Sequence, residues 1–267
     1  MPARHPERIV CLTEESVETL YLLGEQHRIV GISGFTVRPP VARRRFPKVS
    51  AFTSARHEKI IELEPDLVIG FSDLQADIAA ELIRRGVNVL VFNQRSVQQI
   101  LDTVQTLASL VGQGVRGEVL VRGYEHRLQG LREAAGRLPR RPRVYFEEWD
   151  EPLIPAIRWV SELIGIAGGE DCFADRAACP MAAERIIADA DEVIRRDPEL
   201  ILGSWCGKRF RADRVAARPG WDAISAVRTG ALHEIKSPLI LQPGPAALTE
   251  GVAAIARHVH DCANRAP

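Results

Sequence analysis

The sequence predicts an α/β fold with two Rossmann-like lobes, each built on a mainly parallel sheet, joined by a long interlobe helix. In the first half, short apolar strands alternate with helical segments, which is typical of parallel sheets covered on both faces. The same alternation starts again in the second half. Between the halves, apolar residues recur at helical spacing over residues 96–138.

The individual elements follow from the apolar pattern. Continuous apolar runs predict strands at residues 9–12, 29–32, 67–71, 89–92, 144–146, 200–202 and 231–235. Helical periodicity predicts helices at residues 16–23, 77–85, 157–166 and 246–259. Glycines within the long helix predict a kink near residues 112–117. These elements divide the chain into an N-terminal lobe (1–95), a linking helix (96–138) and a C-terminal lobe (139–267).

An internal repeat supports two similar lobes. The segment "PDLVIGFS" from Pro65 returns as "PELILGSW" from Pro198, and 198 − 65 = 133 residues separate the two prolines. An ungapped alignment pairs acidic residues and glycines: Glu64 with Asp197, Asp66 with Glu199, and Gly70 with Gly203. We interpret the repeat as one helix–strand unit present in each lobe. A chance match of this common unit is the alternative explanation.

The composition argues against several classes of protein. Lys and Arg number 35, as do Asp and Glu, so the formal net charge is zero and no overall positive field attracts nucleic acid. No apolar run approaches the roughly 20 residues that span a bilayer. The N-terminus shows no apolar signal-peptide segment, and the five cysteines have no paired spacing. We therefore expect a cytoplasmic protein with free thiols, or a periplasmic one if the true start lies upstream.

Polar and aromatic residues follow the predicted strands and mark a candidate ligand site. Ligands of open parallel sheets bind beyond the carboxyl ends of the strands, so two facing lobes would share one cleft. The candidate ligand-binding residues of the first lobe are Glu14, Glu15, Phe35, Phe71, Asp73, Gln94 and Arg95. Those of the second lobe are Glu147, Glu148, Trp149, Asp150, Trp205, Cys206, Lys208 and Gln242. The aromatic rings would stack on a ring system, unless they fill the lobe cores.

The charges of these segments indicate the ligand class. The segments contain seven carboxylates, Glu14, Glu15, Asp73, Glu147, Glu148, Asp150 and Glu151. Their five cations are Arg38, Arg95, Lys208, Arg209 and Lys236. A site for a polyanion would carry the opposite excess. The count favours a neutral, amide-bearing or partly cationic ligand.

Two reactive alternatives are weaker. The run "EEWDE" could form a metal site or an acid–base pair, but alternate residues of a strand face opposite sides, so its acids cannot all converge. Cys206 could be a nucleophile whose pKa Lys208 lowers. The alternative function is a cytosolic enzyme that reuses the two-lobed cleft, with Glu148 or Cys206 acting on a small polar metabolite. We expect no catalytic residue and no metal site.

The chain resembles the class III substrate-binding proteins of ABC transporters, the helical-backbone metal-receptor group that includes cobalamin-binding proteins. The similarity covers nearly the whole chain, and its most specific part is "VSAFTSARHEKIIELEPDLVIGFS" at residues 49–72. It is also carried by "RIVCLTEESVETLYLLGEQHRIVGIS" at 8–33, "RWVSELIGIAGGEDCFAD" at 158–175 and "DEVIRRDPELILGSW" at 191–205.

The resemblance implies two α/β lobes bridged by a rigid helix, with cobalamin, haem or a ferric siderophore bound between them. It also implies that an acidic residue of each lobe docks an ABC transporter permease. The matching positions are Glu58 and, with a shorter side chain, Asp191. We therefore expect a non-enzymatic protein that holds a corrinoid or other tetrapyrrole-sized ligand.

Overall fold

The computed structural model describes residues 5–265 and shows an α/β protein. The chain forms two compact units. The first comprises residues 5–94 and Gln98–Gly123, and the second comprises Arg95–Val97 and residues 124–265. Across the described part of the chain, every helix is too short or too polar to cross a lipid bilayer.

The first unit is built on five parallel strands. Its elements are β1 (Ile9–Cys11), α1 (Glu14–Leu22), β2 (Ile29–Ser33), α2 (Pro40–Arg45), β3 (Lys48–Ser50), α3 (His57–Glu62), β4 (Leu67–Phe71), α4 (Ala76–Arg84), β5 (Val89–Phe92) and α5 (Val97–Leu110). The strand order is β3-β2-β1-β4-β5. The edge strand β3 is not predicted from the sequence, because only one of its three residues, Val49, is apolar.

Helices cover both faces of this sheet. Successive side chains of a strand point to opposite faces. Ile9 and Cys11 of β1 belong to a buried cluster with residues of α1 and α5. Val10 and Leu12 belong to a second buried cluster with residues of α3 and α4. This arrangement explains the continuous apolar strands, since both faces of each central strand are buried.

Two helices, α5 and α6 (Gly114–Ala135), occupy the stretch predicted as one long helix, kinked or broken near residues 112–117. Between them, Gly112 has a φ of +78°, a left-handed conformation that favours glycine. A Cβ on Gly117 would lie 2.4 Å from the Cβ of Ala108. Gly117 therefore allows the first turn of α6 to pack closely against α5. The α6 helix passes from the first compact unit into the second after Gly123.

The second unit contains a mainly parallel sheet with one antiparallel strand. Its elements are β6 (Arg143–Asp150), β7 (Leu153–Pro155), α7 (Arg158–Ile166), β8 (Glu170–Asp171), α8 (Ala174–Ala177), α9 (Asp191–Arg196), β9 (Leu200–Gly203), α10 (Ala212–Ala216), α11 (Ser225–Thr229), β10 (Leu232–Glu234), α12 (Ser237–Ile240), a π-helical turn (Ala247–Gly251) and α13 (Val252–Ala263). The strand order is β10-β9-β6-β7, and β8 also pairs with β6. Only β7 runs antiparallel to its neighbour. The β6–β7 hairpin and β8 are not predicted from the sequence.

The internal repeat is a real structural unit. It corresponds to α3 followed by β4 in the first unit and to α9 followed by β9 in the second. The residue before each repeated proline is left-handed, with φ of 46° at Glu64 and 40° at Asp197. The same backbone turn therefore joins helix to strand in both units, and the repeat is more than a chance match of apolar residues.

The repeated acids anchor these units in the same way. Asp66 accepts a hydrogen bond from the backbone N–H of Arg8, just before β1, at 3.0 Å from its Oδ1. Glu199 accepts one from the backbone N–H of Arg143, the first residue of β6, at 3.0 Å from its Oε2. Each acid therefore fixes its repeat against the strand beside it.

Candidate ligand-binding site

In each sheet, later strands of the chain lie on both sides of the first strand, so the direction in which strands are added reverses there. In the first sheet, β1 lies between β2 and β4, and the segments that follow β1 and β4 are residues 13–16 and 72–75. In the second sheet, β6 and β9 are neighbours, and the segments 147–150 and 204–208 lie at their carboxyl ends. Open α/β sheets bind ligands at such points. Many of the predicted site residues therefore lie at the switch point of one sheet or the other.

Glu14, in the first turn of α1, holds the segment that follows β2. We call this segment, residues 35–39, the Phe35 loop. The Oε2 atom of Glu14 accepts hydrogen bonds from the backbone N–H groups of Val37 and, at 2.9 Å, Arg38. One turn along α1, Glu18 pairs with the guanidinium of Arg38 at 3.2 Å. Acids of α1 thus position the Phe35 loop.

Glu15 lies beside Glu14 and is also buried. Its Oε1 accepts a hydrogen bond from the hydroxyl of Thr13 at 2.6 Å. Burial raises the pKa of both glutamates to about 7, and a neighbouring carboxylate adds to each shift, Glu18 for Glu14 and Glu14 for Glu15. Both glutamates are therefore partly protonated at neutral pH. They do not act as the full anions that the sequence-based charge count assumed.

Gln75 connects three strand ends and is not predicted from the sequence. Its side chain is fully buried. Its Oε1 accepts the backbone N–H of Phe71 at 2.9 Å, and its Nε2 donates to the carbonyls of Phe52 at 2.9 Å and Leu12 at 3.4 Å. The segments after β1, β3 and β4 are thereby held together. In the sequence, the only sign of such a role was the polar segment that follows β4, and that segment indicated Asp73 instead of Gln75.

The repeated glycines have the same function in the two units. A Cβ on Gly70 would lie 2.8 Å from Oε1 of Gln75. A Cβ on Gly203 would lie 1.9 Å from a ring carbon of Phe210. In each sheet, the absent side chain leaves room for a residue of the following segment to fold back under the strand end.

The predicted residues of the first lobe differ in accessibility. Phe35 is 58% exposed, whereas Phe71 is only 6% exposed and Gln94 only 3%. Asp73 is exposed, and Arg95, which the structure assigns to the second unit, is partly buried. Phe35 and Asp73 are accessible to a ligand, while Phe71 and Gln94 belong to the interior.

Glu147 lies at the centre of a buried polar network. Both of its oxygens bind the guanidinium of Arg218, with N–O distances of 2.5 and 2.9 Å. The hydroxyl of Tyr145 and the indole N–H of Trp205 donate to the same carboxylate at 3.1 and 3.0 Å. Glu147 itself is 0% exposed. We therefore assign it to the support of the site instead of to the ligand contact predicted from the sequence.

The two tryptophans of the second lobe have different environments. Trp205 is 3% exposed, and its ring packs against Phe210 with centroids 5.1 Å apart. Trp205 therefore fills the core of its lobe, as the alternative interpretation of the sequence held, and its ring offers no free face to a ligand. Trp149 is partly exposed. The ammonium of Lys208 lies 4.0 Å from the centre of the Trp149 ring and also pairs with Asp150. Trp149 is therefore less enclosed than Trp205, with the Lys208 ammonium over its ring.

Glu148 points away from Glu147 and pairs with a different arginine. Arg185, whose side chain is 1% exposed, lies 2.7 Å from Glu148. Burial raises the pKa of Glu148, and the charges of Arg185 and Arg95 oppose that shift. The two adjacent acids of β6 therefore do not converge, as the alternation of side chains along a strand predicts.

Cys206 has an exposed position but a raised pKa. Desolvation of the thiol and the nearby charge of Glu148 cause the increase. The alternative in which Lys208 lowers the pKa of Cys206 is therefore wrong, and Lys208 pairs with Asp150 instead. A raised pKa disfavours the thiolate that a nucleophilic cysteine needs.

The sequence-based charge count is corrected by these pairs. Arg218 and Arg185 neutralise Glu147 and Glu148, and neither arginine lies in the segments that were counted. Lys208 neutralises Asp150. The acid-rich strip is thus balanced internally, and the excess of carboxylates that the sequence showed is not a net negative charge of these segments. Among residues 5–265, no cluster of three or more His, Cys, Asp or Glu side chains is arranged to hold a metal ion.

The remaining predicted residues lie on the surface. Gln242 is partly exposed, just after α12. Glu58, in the first turn of α3, has a side chain that is 75% exposed and pairs with Arg85 at 3.0 Å. Asp191, the first residue of α9, is exposed. Glu58 and Asp191 therefore occupy matching helix starts in the two repeats.

Comparison with known proteins gives the family. A family model described as periplasmic binding protein matches residues 9–239. A vitamin B12-binding protein of Vibrio parahaemolyticus is 25% identical over 245 residues, which cover 91% of this chain and 86% of the relative.

Solved structures agree with this assignment. The periplasmic vitamin B12 binding protein of Vibrio cholerae superposes with a TM-score of 0.77 at 21% identity, over 97% of this chain and 99% of its own. A periplasmic heme-binding protein from Roseiflexus sp. RS-1, in apo form, gives a TM-score of 0.79 at 24% identity, over 95% and 99%. These likenesses show the fold. The chain therefore belongs to the periplasmic binding protein family, which confirms its resemblance to the class III substrate-binding proteins of ABC transporters.

Proposed function

We propose that this protein binds a corrinoid, or another ligand of tetrapyrrole size, and delivers it to an ABC transporter without chemical change. The supporting observation is the exposure of large apolar side chains beyond the carboxyl ends of strands of the first sheet. Phe35, after β2, is 58% exposed, and Leu74, after β4, is 55% exposed. Large exposed apolar side chains on a hydrogen-bonded scaffold are typical of ligand sites. Relatives named as vitamin B12-binding and heme-binding proteins support the ligand class.

The available side chains suit a ring bearing amide groups. Phe35 and Trp149 would stack on the ring. Asp73 and Gln242 would accept hydrogen bonds from amide N–H groups, and Lys208 would donate to an amide oxygen. The buried members of the predicted site, such as Glu147 and Trp205, would hold these residues in place.

The choice of corrinoid over haem rests on metal ligation. Haem iron in proteins is held by His, Cys, Met or Tyr. The segments 13–16, 34–40, 72–75, 93–96, 147–152, 204–210 and 236–245 supply one residue of these types, Cys206. Because the pKa of its thiol is raised, Cys206 is a poor thiolate donor. A ligand whose metal carries its own axial groups therefore fits these segments better.

Titration of the pure protein with cyanocobalamin, cobinamide and haem tests the proposal. We expect cobinamide or cyanocobalamin to change the tryptophan fluorescence in a saturable way. Phe35→Ala should weaken that binding about fivefold, since one aromatic contact contributes about 1 kcal/mol. The matched control Val115→Ala changes a 77% exposed residue of α6 and should bind like the wild type. Flat curves with all three ligands would exclude the proposal.

We also propose that Glu58 and Asp191 contact basic side chains of an ABC transporter permease. Their exposure at matching helix starts supports this proposal. Glu58→Arg should abolish stimulation of the transporter ATPase while ligand binding stays unchanged. Glu62→Arg, an exposed change on the same helix, is the control. Equal stimulation by both variants would refute the role of Glu58.

This role requires that the protein act on the outer side of the cytoplasmic membrane, unlike the cytoplasmic location expected from the composition. Fractionation of cells that express the gene from its genomic start distinguishes the two locations. The enzyme alternative gains no support, because Glu148 pairs with Arg185 and the pKa of Cys206 is raised.

A further inference from the structure

The two buried glutamates of α1 each leave one oxygen without a partner. Glu14 is 3% exposed and Glu15 is 5% exposed. Glu14 uses Oε2 for the backbone of the Phe35 loop, and Glu15 uses Oε1 for Thr13. Oε1 of Glu14 and Oε2 of Glu15 are buried and accept no hydrogen bond. A charged carboxylate with an unsatisfied buried oxygen is costly, and a proton reduces that cost.

The charged or titratable groups that act on Glu14 and Glu15 lie on α1, on the Phe35 loop and on β1. On α1 itself, Glu18 adds negative charge near both glutamates. From the Phe35 loop, the guanidinium of Arg38 faces Glu14 and also pairs with Glu18. From β1, the thiol of Cys11 lies near Glu15, and burial raises the pKa of Cys11 to about 12, so this thiol remains neutral. Arg38 is therefore the cation that opposes the acids of α1.

We propose that Glu14 and Glu15 form a proton-dependent latch that holds the Phe35 loop closed when they are protonated and releases it when they are charged. The backbone N–H groups of Val37 and Arg38 favour the ionised form of Glu14, but burial under the loop opposes it more strongly. Opening of the loop would let water solvate the carboxylate. The closed loop therefore binds the proton more tightly than the open loop does.

The direction and range of the pH dependence follow from this difference. In the closed arrangement, the pKa of Glu14 is raised from its ordinary value of 4.5 to about 7. In an open, solvated arrangement it returns toward the ordinary value. Closure is therefore most favourable below pH 4.5, weakens as the pH rises toward 7, and changes little above that. Within this range, each ionising group changes the closed-to-open ratio by up to about tenfold per pH unit.

The latch would regulate the proposed ligand site because Phe35, a proposed ligand contact, lies on this loop. That consequence rests on the proposed function, whereas the latch itself does not. We expect cobinamide to bind more tightly at pH 5.5 than at pH 7.5 if Phe35 contacts it. Failure of cyanocobalamin, cobinamide and haem to bind at either pH would refute the proposed function and leave the latch to be judged on the free protein.

Amide hydrogen exchange of the ligand-free protein tests the latch. We expect the protection factors of the Val37 and Arg38 amides, corrected for intrinsic exchange, to fall between pH 5 and 7 and then to level off. The amide of Phe71, which is bonded to Gln75, reports on the same sheet edge and should not follow this curve. Glu14→Gln and Glu15→Gln should each reduce the slope, and the double variant should make the protection of Val37 and Arg38 independent of pH. Protection that is independent of pH in the wild type, or an unchanged slope in both single variants, would overturn the proposal.

Discussion

Replacing Arg218 by methionine is expected to lower the free energy of unfolding by about 3–5 kcal/mol, because it leaves the charge of Glu147 buried without a partner. Glu147 is 0% exposed, and Arg218 binds both of its oxygens. Methionine keeps an unbranched stem near Trp221, which lies under the guanidinium at 4.5 Å. Urea unfolding monitored by fluorescence measures the loss.

Two controls separate the buried charge from a general loss of packing. Arg214→Met changes an exposed arginine of the neighbouring α10 helix and should stay within about 0.5 kcal/mol of the wild type. Glu147→Gln, added to Arg218→Met, removes the unpaired charge and should recover part of the lost stability. Equal stability of Arg218→Met and Arg214→Met would contradict this account.

Gly203→Ala should destabilise the protein by about 1–3 kcal/mol through overpacking at the end of β9. The new methyl group would lie 1.9 Å from Cδ2 and 2.0 Å from Cε2 of Phe210. Phe210 is buried against Trp205, so its ring cannot move without disturbing the indole that donates to Glu147. Thermal unfolding should show the loss, and near-ultraviolet circular dichroism should show a changed tryptophan environment.

A double-mutant cycle identifies Phe210 as the cause. In a Phe210→Ala background the ring is gone, so Gly203→Ala should have almost no further effect. Gly130→Ala is the matched control, because a Cβ at this position of α6 meets open space. It should be neutral or stabilising by up to about 1 kcal/mol, as expected for alanine in place of glycine in a helix. If Gly203→Ala lowers the stability equally with Phe210 present and in the Phe210→Ala background, the backbone and not the ring of Phe210 requires glycine.

The strands and the repeat could be predicted because their signals are local. The run at residues 67–71 is apolar throughout, since helices cover both faces of its sheet. The aligned prolines and glycines mark backbone turns and close approaches that recur in both units, such as those at Glu64 and Asp197. The strands that were missed, β3, β7 and β8, have three residues or fewer, and each contains polar residues or a proline in place of a continuous apolar run.

The support of the site could not be predicted because its contacts join residues far apart in the chain. Arg218 reaches Glu147 across 71 residues, and Arg185 reaches Glu148 across 37. No spacing in the sequence marks such pairs, so Glu147 looked like a free ligand contact and the segments looked acidic. Trp205 was similarly ambiguous, because aromatic residues after strands occur both in cores and in ligand sites.

Hydrogen–deuterium exchange with and without cobinamide tests the central claim, that the strand-end segments of this chain contact a corrinoid-like ligand. At saturating cobinamide, we expect slower exchange in peptides that cover the Phe35 loop and the segments 72–75 and 147–151. The exchange rates of peptides that cover α6 should not change. Saturable binding whose protection falls outside these segments, or exchange that cobinamide leaves unaltered everywhere, would contradict the claim.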